Sequence, residues 1–193
     1  MKISLDNIDA FIFDFDGVLT NNLVHLDKDG KEWVSCSRAD GLAFDVLRKL
    51  EKPSYILSTE SNPVVSACAK KLQIKVLQGV KNKTDTLLTL SENKVYHLSR
   101  ILYVGNDFND FNVIKICGYS AYLIDSHIKI KKLYNIVLNT RCGEGVVREL
   151  LEEVLNMDFI KILYLLLKEK RYQLKLLRKL KLIIMVIWIF VNN

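Results

Sequence analysis

Proline and glycine are scarce, two and eight in 193 residues, which excludes proline-rich linkers, collagen-like repeats and glycine-rich flexible arrays. Cysteine is sparse as well. The four cysteines, at 36, 68, 117 and 142, include no CxxC pair, a spacing that argues against a zinc ribbon or a disulfide-stapled secreted domain and fits a reducing cytoplasm. No signal peptide is expected, because the first apolar stretch, residues 10–13, runs straight into carboxylates. The longest uninterrupted apolar run, residues 182–191, falls well short of the roughly 20 residues that span a bilayer. No internal repeat is visible.

What is abundant is apolar and charged material in ordinary globular proportion, 50% and 26%. A formal net charge of +6 would point to nucleic acid or an anionic membrane if it were spread over the chain. It is not. Of the 28 Lys and Arg and 22 Asp and Glu, residues 157–193 hold 8 and 2, so residues 1–156 are neutral. That body lacks the interleaved basic and aromatic residues of a nucleic-acid binder, and no nucleic-acid partner is expected. The division predicts a catalytic-sized domain over 1–156 and a basic, apolar tail over 157–193. In the tail, Leu163, Leu166, Leu167, Leu174 and Leu177 recur at helical spacing. The tail reads as a terminal helix that packs on the body or on a partner, with contact to a membrane surface as the lesser alternative.

Along the body, short apolar runs (10–13, 55–57, 74–77, 101–104, 121–124 and 136–138) alternate with helical patterns near 42–50, 63–72, 84–90, 109–116 and 145–155. That rhythm predicts an α/β fold, a parallel sheet flanked by helices. Residues 23–35 break it: two short runs around Asp27-Lys28-Asp29-Gly30 read as a β-hairpin.

Chemistry gathers where predicted strands end. Asp14 and Asp16 follow the first run, with side chains on one side if the strand continues, at the sheet edge where open α/β folds bind ligands. Two carboxylates this close repel unless a hard cation such as Mg2+ joins them. A calcium loop is a poor fit, since Gly17 comes too early and Val18 and Leu19 follow; a simple turn would not need a buried strand in front. Asn106, Asp107 and Asp110 follow Gly105 after the run 101–104 and read either as metal-facing oxygens or as an Asx turn with a helix cap. Ser58 and Thr59 follow the second run. Lys83 follows the third and, with Ser58, supplies the donors a phosphoryl group needs. His25, His97 and His127 lack metal-ligand spacing.

Taken in order, these segments resemble the haloacid dehalogenase superfamily of aspartate-nucleophile phosphatases over about residues 7–155. The resemblance implies a Rossmann-type sheet and an Asp14 nucleophile that forms an aspartyl-phosphate. It also implies Asp16 as the acid and base, and Ser58 and Lys83 as neutralisers of the transferred group. It implies Mg2+ held by Asp14, the Asp16 main-chain carbonyl and Asn106, with Asp107 as a substitute ligand and Asp110 in support.

The hairpin in place of a cap domain, the stretch Arg38-Ala39-Asp40-Gly41 and the segment 143–149 are similar to the capless branch that contains the 3-deoxy-manno-octulosonate 8-phosphate phosphatases. That branch implies a sugar-acid phosphate substrate and a homotetramer. Residues 58–65 are more similar to the phosphatases of nine-carbon sialic-type acids and to the phosphatase-like domains of acylneuraminate cytidylyltransferases. Thr59 and Glu60 are the expected substrate contacts, with Glu60 where the octulosonate enzymes usually carry Arg, and Arg38 and Asp40 either reach the substrate from the base of the hairpin or form a local salt bridge. Asn106 replaces the usual Asp, which removes one negative charge from the metal site, and Cys68 replaces a substrate-holding Arg. The expected function is a cytoplasmic Mg2+-dependent sugar-acid phosphatase. The alternative is a weakly active module that assembles with a cytidylyltransferase.

Overall fold

The computed structural model describes residues 3–165. The chain divides into two units, Met1–Met157 and Asp158–Asn193, and the expected tail helix lies outside the described residues beyond Leu165.

In the first unit six strands form one parallel sheet. They are β1 (Ala10–Phe13), β4 (Ser54–Leu57), β5 (Lys75–Leu77), β6 (Ile101–Val104), β7 (Tyr119–Tyr122) and β8 (Ile136–Val137), in the spatial order β5-β4-β1-β6-β7-β8. All four residues of β1 and of β6 are buried, which is why both strands read as unbroken apolar runs rather than as alternating ones. From β1 the chain builds outward to β4 and β5. It then returns to lay β6 on the other flank of β1, pairing Phe13 with Val104 at the carboxyl ends. That reversal opens a crevice beyond the ends of β1 and β6, the place where sheets of this kind bind ligands.

The helices are α1 (Arg38–Lys49), α2 (Pro63–Leu72), α3 (Lys83–Lys94), α4 (Phe111–Ile116) and α5 (Val146–Glu149), the last continued by a π-helical turn over Leu150–Val154. Their starts follow from local chemistry. Ser37 accepts a hydrogen bond from the Ala39 amide at 3.2 Å, Asn62 from Val64 at 3.0 Å with Pro63 at the first helical position, and Asn82 from Thr84 at 2.9 Å.

The predicted hairpin is present but slight: β2 (His25–Leu26) and β3 (Glu32–Trp33) pair antiparallel over two residues each. One predicted strand is misplaced. β7 ends at Tyr122 rather than running over 121–124, because the Ser126 hydroxyl accepts from the Leu123 amide at 2.9 Å and closes a turn there.

One cysteine pairing was not read from the sequence. Cys36, between β3 and α1, is bonded to Cys68 on α2. The packing of α2 beside that connection joins residues 32 positions apart, a proximity that sequence spacing does not report.

Candidate active site

Asp14 stands one residue beyond β1, its amide still bonded to the Val104 carbonyl at 2.9 Å, so the sheet itself fixes the position of the side chain. The carboxylate is buried, and Oδ1 accepts from the Phe15 amide at 2.8 Å and lies 2.7 Å from Lys83 Nζ. Burial, reinforced by the charge of Asp110 and opposed by Lys83, pushes the Asp14 carboxyl up to about 7. Lys83 opens α3, and its ammonium is equally close, at 2.7 Å, to Asp110 Oδ1. Burial alone would lower the lysine, but the two carboxylates outweigh it and hold its pKa up.

Asp110 is the hub of the second cluster. Its Oδ1 also accepts from the Tyr103 hydroxyl at 2.6 Å, and its Oδ2 accepts from the amides of Asn106 at 2.9 Å and Asp107 at 3.4 Å. The loop after β6 is therefore folded around one carboxylate, and Gly105 is required there because a Cβ would overlap that carboxylate. Asn106 is buried, with Oδ1 lacking any partner. It lies against Gly17, whose φ of 77° belongs to the left-handed region and where a Cβ would collide with the Asn106 amide. Asp16 is half-buried. Its pKa is raised by burial and by the nearby Glu60 and Glu32, against the pull of Lys83 and a hydrogen bond with Thr20.

Ser58 is buried at the end of β4, its amide bonded to the Leu77 carbonyl at 2.9 Å and its Oγ accepting from the Glu60 amide at 3.1 Å. Thr59 is exposed. Glu60 turns one carboxylate oxygen back on its own loop, accepting from the Ser61 and Asn62 amides at 2.7 Å each.

Among the described residues no group of three His, Cys, Asp or Glu side chains is placed to hold a metal. Asp14 and Asn106, whose amide oxygen is buried and unpartnered, are the residues that could hold a hard divalent cation, an all-oxygen pair to be supplemented by a main-chain carbonyl and water. Asp107 Oδ1 accepts from the Phe108 amide at 2.7 Å.

A family model of haloacid dehalogenase-like hydrolases matches residues 54–150. The 3-deoxy-D-manno-octulosonate 8-phosphate phosphatase of Haemophilus influenzae is 30% identical over 156 residues, 80% of this chain and 87% of the relative. This chain belongs to the haloacid dehalogenase-like hydrolases. Two solved members show the same architecture. A hydrolase of the family from Streptomyces avermitilis superimposes with a TM-score of 0.79 at 37% identity, over 82% of this chain and 91% of its own. The 3-deoxy-D-manno-octulosonate 8-phosphate phosphatase of Moraxella catarrhalis, solved with magnesium, phosphate and the octulosonate, superimposes at 0.74 with 25% identity, over 78% and 87%.

Within that family frame, the structure brings Asp14, Lys83, Asn106 and Asp110 together at the carboxyl edge of the sheet, with Asp16, Ser58 and Glu60 beside them. Asp40 is the exception. It was expected to contact substrate from the base of the hairpin. Instead it is buried, its Oδ1 accepting from the amides of Val147 at 2.8 Å and Arg148 at 3.1 Å. It caps the start of α5, and burial pushes its carboxyl up to about 6 despite those two donors. Arg38, at the first position of α1, is exposed.

Three participants escaped the sequence reading. Tyr103 anchors Asp110 from inside β6, Thr20 holds Asp16, and Glu32 reaches from β3 to accept from Asn62 Nδ2 at 2.8 Å. Only Thr20 left a readable signal, as a hydroxyl four residues after Asp16 in the same turn. A hollow of 730 Å³ lies at the opposite, amino end of the sheet between Ile8, Lys52, Tyr96 and Arg100, and it holds none of these groups.

Proposed function

We propose that this chain hydrolyses the terminal phosphate ester of a 3-deoxy sugar acid, with Mg2+ at Asp14 and Asn106. The observation that carries the reading is the buried row Asp14–Lys83–Asp110: a carboxylate fixed at the end of β1, oriented by a lysine that Asp110 holds in place. Asp14 attacks phosphorus, the leaving oxygen takes its proton from Asp16, and an aspartyl-phosphate forms at Asp14. Burial, with Glu60 and Glu32 nearby, raises the Asp16 pKa, which favours its holding that proton and afterwards accepting one from the attacking water. Ser58 and Lys83 face the transferred group as hydrogen-bond donors. The cation, when bound, neutralises charge on the phosphoryl oxygens.

The sugar-acid assignment is supported by relatives named for that substrate, and the reading extends to lipopolysaccharide biosynthesis as the pathway class. Glu60 and Thr59 sit at the mouth of this site and are the residues through which an eight-carbon acid would be told from a nine-carbon, sialic-type one. The reading extends to a cytoplasmic homotetramer, supported by four large apolar side chains exposed around the hairpin: Leu23, Val24, Leu26 and Trp33. Light scattering of the full chain tests the assembly; a strict monomer overturns it. The alternative of an inactive assembly module is not favoured, since the family's named relatives are phosphatases.

The test is phosphate release with Mg2+ from a panel of octulosonate 8-phosphate and nonulosonate 9-phosphates. Turnover of at least one, far above simple aryl phosphates, is expected; turnover of none by folded, Mg2+-supplied protein overturns the reading.

A further inference from the structure

Within its own subunit the hairpin arm has little to hold it. Residues 21–31 are all exposed, and each strand contributes two residues to the ladder. A segment with so little burial belongs to the low-stability end of a protein, where local opening costs least. Yet the structure ties this arm to α2 at two points. Glu32 of β3 accepts from Asn62, which caps α2, and Cys36, just beyond β3, is bonded to Cys68 in the middle of the same helix. The first tie reaches the catalytic loop directly. The amide of Asn62 donates to Glu60, whose own amide donates to Ser58 Oγ.

We infer that Cys36 and Cys68 form a reversible thiol–disulfide pair that fastens the hairpin arm to α2 when oxidised and leaves that attachment to the Glu32–Asn62 hydrogen bond when reduced. The geometry assigns the order of reaction. Cys36 is half-buried on a connection at the surface, whereas Cys68 is 7% exposed. A low-molecular-weight disulfide of the glutathione class is therefore attacked first by the Cys36 thiolate, which releases one small thiolate and leaves a mixed disulfide. Cys68 then attacks Cys36 Sγ and expels the second. The two cysteines are oxidised and the small disulfide is reduced to two thiols, which take up the two protons that the cysteines lose. Cys117 and Cys142 lie on other elements, and burial pushes both up to about 12, which leaves them poor competitors for the same reagent.

The test uses the full chain incubated either with oxidised glutathione or with a dithiol reductant, and none of its readouts requires turnover, so it stands or falls apart from the proposed reaction. Peptide mapping of the oxidised sample is expected to give a linked pair containing Cys36 and Cys68, lighter by two hydrogens than the separate peptides. Amide exchange over residues 23–36 is expected to be roughly tenfold slower in the oxidised form. Its thermal midpoint is expected to lie about 10 °C higher. Both differences vanish in Cys36→Ser, and Cys68→Ser stops at the mixed disulfide on Cys36. A glutathione adduct that persists on Cys36 of the unsubstituted chain overturns the inference. So does a linked pair whose formation leaves exchange of the arm unchanged.

Discussion

Lys83 Nζ and Asp14 Oδ1 are 2.7 Å apart, with 2% and 3% of their side chains exposed, and the same ammonium bonds Asp110 at the same distance. One buried cation thus faces two carboxylates, and removing it leaves both without compensation. Lys83→Ala is expected to lose activity by at least about 100-fold and stability by about 3 kcal/mol at neutral pH. Urea titration at pH 6 and pH 8.5 checks the cause: the stability deficit is larger at pH 8.5, where the Asp14 carboxyl raised to about 7 has ionised in the unsubstituted protein. A deficit equal at both pH values contradicts it.

The same raised carboxyl predicts how Mg2+ binds. With its pKa at about 7 in the metal-free protein, Asp14 must lose a proton to become a ligand below that pH. Mg2+ affinity is expected to rise about tenfold per pH unit below 7 and to level off above it, measured by calorimetry in buffers of differing ionisation heat. An affinity constant between pH 5.5 and 7.5 contradicts the assignment of Asp14 as ligand.

Gly17 and Asn106 share one space. Gly17→Ala places a methyl group where the Asn106 amide lies and forces a side-chain-bearing residue to adopt a φ of 77°, a backbone cost of about 1 kcal/mol. The Mg2+ dependence of activity is the readout: a several-fold higher Mg2+ requirement is expected, with a folded spectrum retained. An unchanged requirement would remove Asn106 from the metal site. Asn106→Asp restores the missing negative charge and is expected to lower the requirement.

Much of the fold was legible because burial dictates composition. β1 and β6 lie between other strands and are covered on both faces, so they had to be apolar throughout, and the carboxylates that follow them had to fall at the sheet edge. What was not legible depends on contacts between distant segments. Tyr103 reads as one more apolar residue of β6 until Asp110 is seen to accept its hydroxyl. Asp40 reads as a surface acid near a hairpin until α5 folds its first amides onto it, 107 positions away. The proximity of Cys36 and Cys68 leaves no signal in the sequence for the same reason.

Asp40 gives a prediction about stability. Its folded pKa, about 6, lies above that of an unfolded aspartate, so the folded state holds a proton that the unfolded chain releases. The stabilisation is present below about pH 4 and is lost as pH rises through 6, a swing of about 3 kcal/mol. Asp40→Asn cannot ionise, so its unfolding free energy minus that of the unsubstituted protein is expected to climb between pH 4 and 6 and stay flat above. A difference that does not vary with pH contradicts the burial argument.

The central claim is that Asp14 is the nucleophile of a sugar-acid phosphatase. The most direct measurement is Mg2+-supported phosphate release from octulosonate 8-phosphate and the nonulosonate 9-phosphates by the full chain and by Asp14→Asn. The account predicts turnover by the first and a loss of about 1000-fold or more in the second, with folding intact. Equal rates in the two proteins would contradict it.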